Sequence, residues 1–360
     1  MKKIIAMLLC LIMMVSLVAC GDKPASNTPD NPQPGNSQPA QPGNDKEEFV
    51  WPETPEKVYK LSVANAVTDK TPSGQALLAV KAALEERSNG AVTLDIFWES
   101  VIGTANEQAE AVLSGSLDMA VISSAVLSQY DDKINVLSLP FIVADREHAK
   151  KIVDECFDDI TSNLNGVIGI PLGIWELGSR HLVTVEKEVK TLEDMAGLSL
   201  RVMDGQIYTK VFNALGAIPQ NIAAGELVTA LQQGVVDGVE EPFTMMANQQ
   251  QYTFCKYAAM IGYNYSVAVP VLSNITAATL PDEVLDLIYE VFDEYKHYSI
   301  ELGQQYEEEY IDLAIENGMT INYLEAAELN RFVEAVRPIW DEYTETIGAD
   351  LIDRVYNCAG

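Results

Sequence analysis

From Val58 to Ser124 the chain keeps switching between two hydrophobic periods, and this switching limits the fold more than any other feature. "VYKLSVANAV" alternates as a strand does, and "SGQALLAVKAALEERSNG" is apolar at helical spacing up to Gly90. "AVTLDIFW" alternates again, "TANEQAEAVLSG" is helical and closed by Gly115, and "LDMAVISS" is a third strand. Period two puts alternate side chains on opposite faces of a strand, whereas the helical period gathers them on one stripe. Strands separated by helices of this length build βαβ units, so an α/β fold with a parallel sheet is expected.

The pattern continues. "INVLSLPFI" reads as an irregular connection, "DREHAKKIVDECFDDITSNL" as a helix, "GVIGIPLGIW" and "HLVTV" as two strands, and "TLEDMAG" as a short helix with Thr191 at its N-cap. "LSLRVM" is a strand, "GQIYTKVFNALG" and "AGELVTALQQG" are helices, and "VVDGVEEP" enters a strand and loop. "YSVAVPVLSNITAATL" reads as a strand pair, and one long helical stretch runs from Pro281 to Gly318. "TINYL", "EAAELNRFVEAVRPIWDEYTETIG" and "ADLIDRVYN" complete the chain. No internal repeat or second linker interrupts this part. Its roughly 310 residues exceed one simple core, so two α/β lobes sharing a continuous body are expected.

The N-terminus is of another kind. Lys2 and Lys3 precede an apolar run from Ile4 to Ala19, which reads as a secretory signal over 1–19, because a membrane span needs roughly 20 apolar residues and other flanks. "LVAC" at 17–20 matches a lipobox, making Cys20 the lipidated residue of an anchored protein; the alternative is an ordinary signal containing a cysteine. Residues 20–56 form the lipid-bearing cysteine and a tether. From Gly21 to Glu48 it is Pro-, Asn-, Gln-, Ser- and Gly-rich, a composition too poor in apolar surface to order itself.

The remaining cysteines, Cys156, Cys255 and Cys358, match no zinc spacing. Buried free thiols are the expectation, with a Cys156 to Cys255 bridge as the alternative. His148, His181 and His297 form no cluster in sequence. A net charge of -30 argues against nucleic acid, which needs clustered Lys and Arg. Nucleophile-elbow, zinc-protease, phosphate-loop and dinucleotide motifs are all missing, so neither an enzyme nor a cofactor is expected.

One residue resists this bland reading. Arg201 ends the apolar strand "LSLRVM", and no other Arg follows until Arg331. A cation so placed needs either an internal carboxylate or an anionic ligand.

Three stretches favour the ligand. "FWESVIGTANEQAEAVLSGSLDMAVISSAVLSQYDDKINVLSLPFI", "LSLRVMDGQIYTKVFNALGAIPQ" and "GELVTALQQGVVDGVEEP" resemble the corresponding segments of TRAP-type extracytoplasmic solute-binding proteins, the DctP-like family, in a likeness running from about Tyr59 to Val355. The resemblance implies a two-lobed periplasmic-binding-protein-like α/β fold with discontinuous lobes, a cleft between them and a long helix spanning both. It places lobe I at 57–178 and 267–306 and lobe II at 179–266 and 307–360. It implies capture of a small organic acid and delivery to TRAP membrane subunits driven by an ion gradient. The protein would be a monomer, lipid-anchored through Cys20 on the periplasmic side or outer surface. A binding lipoprotein of an ATP-driven importer, or a ligand-sensing receptor partner, would share the same export logic.

Residue by residue, the resemblance assigns Arg201 as the clamp on the ligand carboxylate and Arg180 as a second arginine that some members use; a lobe-surface or hinge salt bridge is the alternative for Arg180. Asn65, Ser123, Ser124 and Ala105 fall on cleft-lining positions. Two departures reshape the pocket: "DGVEEP" puts Glu241 where the family usually has Asn, and Ala224 replaces an aromatic cover. Trp175, Tyr208 and Phe243 are candidates for the missing apolar wall, with simple core packing as the alternative. Glu241 either neutralises Arg201 or receives an amino or hydroxyl group, which points to a larger or amino-bearing acid.

Overall fold

The computed structural model describes residues 49–358. The signal segment, Cys20 and the tether up to Glu48 lie outside the described residues. Within them the chain forms ten strands: β1 Tyr59–Asn65, β2 Val92–Trp98, β3 Met119–Ser123, β4 Ile170–Pro171, β5 Trp175–Thr184, β6 Ser199–Val202, β7 Ile218–Asn221, β8 Gly238–Glu241, β9 Tyr257–Leu272 and β10 Thr320–Tyr323. They make one sheet in the order β2-β1-β3-β9-β5-β8-β6-β7, with β4 and β10 also paired to β9.

The expected βαβ units are present. β1 runs parallel to both β2 and β3, and β6 runs parallel to both β7 and β8. Local chemistry sets the helix ends. The Thr71 hydroxyl accepts from Gly74 N at 3.1 Å to start helix Pro72–Arg87, with proline at its first position, where a missing N–H costs nothing. Thr104 and Glu107 form a reciprocal capping box on helix Ala105–Ser114, and Gly115 ends it at φ 73, where a side chain would strain the backbone.

The sheet has two halves because β5 and β9 are long. β9 pairs with β3 through Ala268–Leu272, with β5 from Tyr257 to Ala268 and with β10 at its start, so β5 and β9 carry the chain from one parallel group to the other. Three clusters of buried apolar residues accompany this plan. One lies under β1, β2 and helices Pro72–Arg87 and Asp282–Glu294, and another under β8, β10 and helix Leu227–Gln232. The largest joins the middle of the sheet to the C-terminal helices. Trp51 also packs against the first cluster, its carbonyl accepting from Asn89 Nδ2 at 3.2 Å.

Several sequence expectations need correction. "GVIGIPLGIW" yields only the two-residue β4, and β5 begins at Trp175 and runs unbroken through "HLVTV". The strand pair expected after Tyr265 is one sixteen-residue strand, β9, followed by the short helix Asn274–Ala277. The stretch from Pro281 to Gly318 is two helices, Asp282–Glu294 and Tyr298–Glu316, parted where a run of aromatic and charged side chains, Tyr295 to His297, turns the backbone. A Cys156 to Cys255 bridge is excluded. Cys255 is buried in the cluster beneath β8, whereas Cys156 Sγ lies 3.2 Å from Cys358 Sγ.

Helix Tyr298–Glu316 crosses β5 and touches helix Pro72–Arg87 at one end and β10 at the other. Its close approach depends on Gly303, against which the buried Glu176 carboxylate rests. Glu176 accepts from Arg146 Nη2 at 2.8 Å and from the Tyr265 hydroxyl. Gly303→Ala should drive a methyl group into this carboxylate and cost about 1 to 3 kcal/mol, read as a lower denaturant midpoint at unchanged slope. Gly166→Ala, at an open surface position, is the control and should be neutral; equal effects of the two would show that the packing at Glu176 is slack.

Candidate ligand-binding crevice

In open α/β sheets ligands sit beyond the carboxyl ends of parallel strands. Here two sets of such ends face one another. β3, β9, β5 and β8 are successively antiparallel, so β3 and β8 run toward each other from opposite halves. β3 stops at Ser123, opposite Ala268, and β8 stops at Glu241, opposite His181, next to the Arg180 and Asn264 pair. Between these levels β5 and β9 run alone for roughly four or five residues, a gap on the order of 15 Å at the usual strand rise. They are the floor of the crevice.

Asn65 and Ser123 end β1 and β3 on the first wall. Asn65 is 1% exposed; its Oδ1 accepts from Val67 N at 3.2 Å, and its Nδ2 has no protein partner. Ser123 Oγ caps the short helix Ser124–Leu127 by accepting from Val126 N at 3.4 Å. Ser124 is buried, and its hydroxyl and that of Ser138 both meet the Tyr208 hydroxyl, which donates to Ser138 Oγ at 3.2 Å. Ala105, half-buried, opens helix Ala105–Ser114 and packs on the largest apolar cluster.

Arg201 and Glu241 stand on the second wall. Arg201 pairs in register with Val239, two residues before Glu241, so all three project from one face of the sheet. Arg201 Nε donates to Ile222 O at 3.1 Å, and among the described residues no carboxylate stands within ion-pair distance of its guanidinium. Glu241 is 3% exposed, and its Oε1 has no partner among the described residues. Burial pushes its carboxyl up to about 7, against the opposing pull of Arg201, Arg180 and a hydrogen bond from Gln251. Arg201 is thus near enough to be felt by Glu241 without being neutralised by it. Across the crevice, Thr68 Oγ1 donates to Asn248 Oδ1 at 3.4 Å, linking the loop after β1 to the end of helix Phe243–Asn248.

Arg180 is placed differently. It is 4% exposed, its Nε bonds to the Glu240 carboxylate, and its Nη2 donates to Glu240 O at 2.5 Å. The same carboxylate receives the Tyr263 hydroxyl and, on its other oxygen, Met203 N at 2.9 Å. Arg180 therefore has an internal carboxylate partner, and the pair is buried rather than on the lobe surface.

Two of the apolar wall candidates are core. Trp175 stacks on Phe292 with centroids 5.6 Å apart inside the first cluster, and Phe243 is buried in the cluster beneath β8, 5.8 Å from the His181 ring. Tyr208 is core by its ring and reaches the lobe contact only through its hydroxyl. Ala224 is exposed in a single turn, Ala224–Glu226. The structure adds residues that sequence reading passed over. Glu240 is the partner of Arg180, Gln251 stands beside Glu241, and Asn264 donates to Leu137 O at 3.1 Å while its Oδ1 has no partner among the described residues. Strand alternation in "VVDGVEEP" could have separated Glu240 from Glu241, since neighbours on a strand face opposite ways. Nothing local marks Gln251 or Asn264.

Two half-sheets joined by long strands, with a crevice between their carboxyl edges, are the plan of a two-lobed solute receptor. The sequence matches the family described as bacterial extracellular solute-binding protein, family 7, DctP, over residues 63–346, and the chain belongs to that family. It is 27% identical over 300 residues to the C4-dicarboxylate-binding periplasmic protein DctP of Rhodobacter capsulatus, covering 82% of this chain and 89% of that one. A TRAP periplasmic solute-binding protein from Ochrobactrum anthropi, solved with its C-terminus in the ligand pocket, superposes with TM-score 0.77 at 28% identity, covering 84% of this chain and 95% of that one. One from Sulfurospirillum deleyianum, solved with bound succinate, gives TM-score 0.77 at 24% identity, covering 83% and 98%.

Proposed function

We propose that this protein captures a small organic acid in the crevice between its lobes and delivers it to an ion-gradient-driven TRAP membrane transporter, working as a monomer held at the membrane by a lipid on Cys20. The observation that carries the reading is Arg201, half-buried at converging strand ends and, among the described residues, without a carboxylate at ion-pair distance. Its planar guanidinium offers two parallel donors matched to a carboxylate. Relatives named for dicarboxylate binding, and a neighbour solved with succinate, support the ligand class. A thermal-shift panel of organic acids tests it: a ligand at a hundred times its dissociation constant adds about 2.7 kcal/mol, a rise of several degrees. No shift with any carboxylate would overturn the reading.

Glu241 narrows the ligand further. A ligand that places its carboxylate on Arg201 and an amino group on Glu241 satisfies both charges and the unpartnered Oε1. The pH dependence has a definite sign. Because the carboxyl is raised above its ordinary value, the empty protein is favoured with Glu241 protonated, an advantage present below about pH 4.5 and lost as pH rises through about 7. An ammonium-bearing ligand needs the ionised form, so its affinity should increase from pH 6 to 8, and Glu241→Gln should abolish that increase. Calorimetric titrations at both pH values check this. Equal preference of wild type and Glu241→Asn for aminated and unaminated acids would sink the assignment while leaving acid binding itself intact.

A further inference from the structure

Cys156 and Cys358 are 202 positions apart, yet their sulfur atoms lie 3.2 Å from each other. Cys156 is buried on helix Arg146–Thr161, and Cys358 follows the last helix, Ala349–Asn357, and is partly exposed. The approach does not depend on the sulfurs. His148 Nε2 lies 2.7 Å from Val355 O and Arg354 is paired with Asp159, so helix Ala349–Asn357 is seated on this helix by separate bonds. Ile352 and Val355 share an apolar cluster with Cys156, and Cys358 packs against it. A disulfide needs the sulfurs at roughly 2 Å, about 1 Å closer than they stand.

We infer that Cys156 and Cys358 form a disulfide in the mature protein, fastening the C-terminal helix to helix Arg146–Thr161. The oxidant is a disulfide-bearing compound or protein. The more accessible Cys358 thiolate attacks one sulfur of that disulfide and releases the other as a thiolate; Cys156 then displaces the bound sulfur. The protein loses two protons and two electrons, and the oxidant leaves as two thiols. Burial and the contact with Cys156 push the Cys358 thiol up to about 12, so little thiolate is present and the exchange is slow without a catalyst. Such a bond persists in the oxidising space outside the cell membrane, where a family of extracellular proteins resides. Cys255 lies in a different cluster, away from both sulfurs, and supplies the internal control.

The test is peptide mapping of the full-length protein recovered from its producing cells and alkylated without reduction, and of the same protein after equilibration with oxidised and reduced glutathione. The expected result joins the Cys156 and Cys358 peptides, two hydrogens lighter than the separate pair, and leaves Cys255 alkylated. Thermal melting provides a second reading. Dithiothreitol should lower the melting temperature of wild type and of Cys255→Ser by on the order of 5 °C, because the bond closes a long loop, and should leave Cys358→Ser unchanged. Alkylation of both Cys156 and Cys358 after the glutathione treatment, or a bridge to Cys255, would overturn the inference. The mapping is done on unaltered protein, so a variant that fails to fold does not blunt it.

Discussion

Arg201→Ala should lower affinity for the acid by a hundredfold or more. A bidentate carboxylate loses two charge-assisted bonds, worth roughly 1.5 to 3 kcal/mol each. A second effect adds to the first: Arg201 is the largest influence holding the Glu241 carboxyl down, so its removal favours a protonated Glu241 and weakens any amino contact there. Arg201→Lys should recover only part of the loss, because a point charge does not reproduce the planar fork. Stability of the empty protein at neutral pH should change little, since among the described residues Arg201 makes one backbone bond and no ion pair. Titration calorimetry with an acid found by thermal shift gives the comparison. Unchanged affinity in Arg201→Ala would move the carboxylate elsewhere in the crevice.

Arg180→Ala should be the most destabilising single change in the crevice, by about 3 to 5 kcal/mol, because it leaves the Glu240 carboxylate buried beside Tyr263 without its cation. The melting temperature should fall by roughly 10 °C. The double change Arg180→Met with Glu240→Leu removes both charges and should regain much of the loss. It also separates two roles. A double variant that melts near wild type and still binds the acid makes Arg180 a scaffold residue; one that melts normally and binds nothing makes it a ligand contact as well. A single Arg180→Ala variant as stable as wild type would refute the account of the pair.

The first half-sheet was legible because its signals are local. Alternation in "VYKLSVANAV", helical spacing in "SGQALLAVKAALEERSNG" and the closing glycines Gly90 and Gly115 each act over a few residues. β9 was not legible as one strand, because its first half, "YAAMIGYNY", has no clean alternation: it pairs β5 and β10 together and is covered unevenly. The helix break at Tyr295 to His297 has no proline or glycine to announce it. In the crevice, Arg201 stood out because cations are scarce, and Glu241 stood out as a departure from the family pattern. Glu240 was hidden because its partner lies 60 positions away and only the antiparallel register of β5 with β8 joins them. The nearness of Cys156 to Cys358 is likewise a product of tertiary docking that no spacing rule contains.

The shared floor has a consequence for how the chain is made. β1, β2 and β3 reach the rest of the sheet only through β9, and β3 must wait for residues 268 to 272 before its outer edge is covered. Closing such long loops is slow, and the entropy is lost before any contact compensates it. The first parallel group therefore stays incomplete until residues 268 to 272 have been made. That delay leaves the outer edge of β3 open until β9 is in place, and it predicts that shortening β9 would slow folding of the whole chain rather than alter the crevice alone.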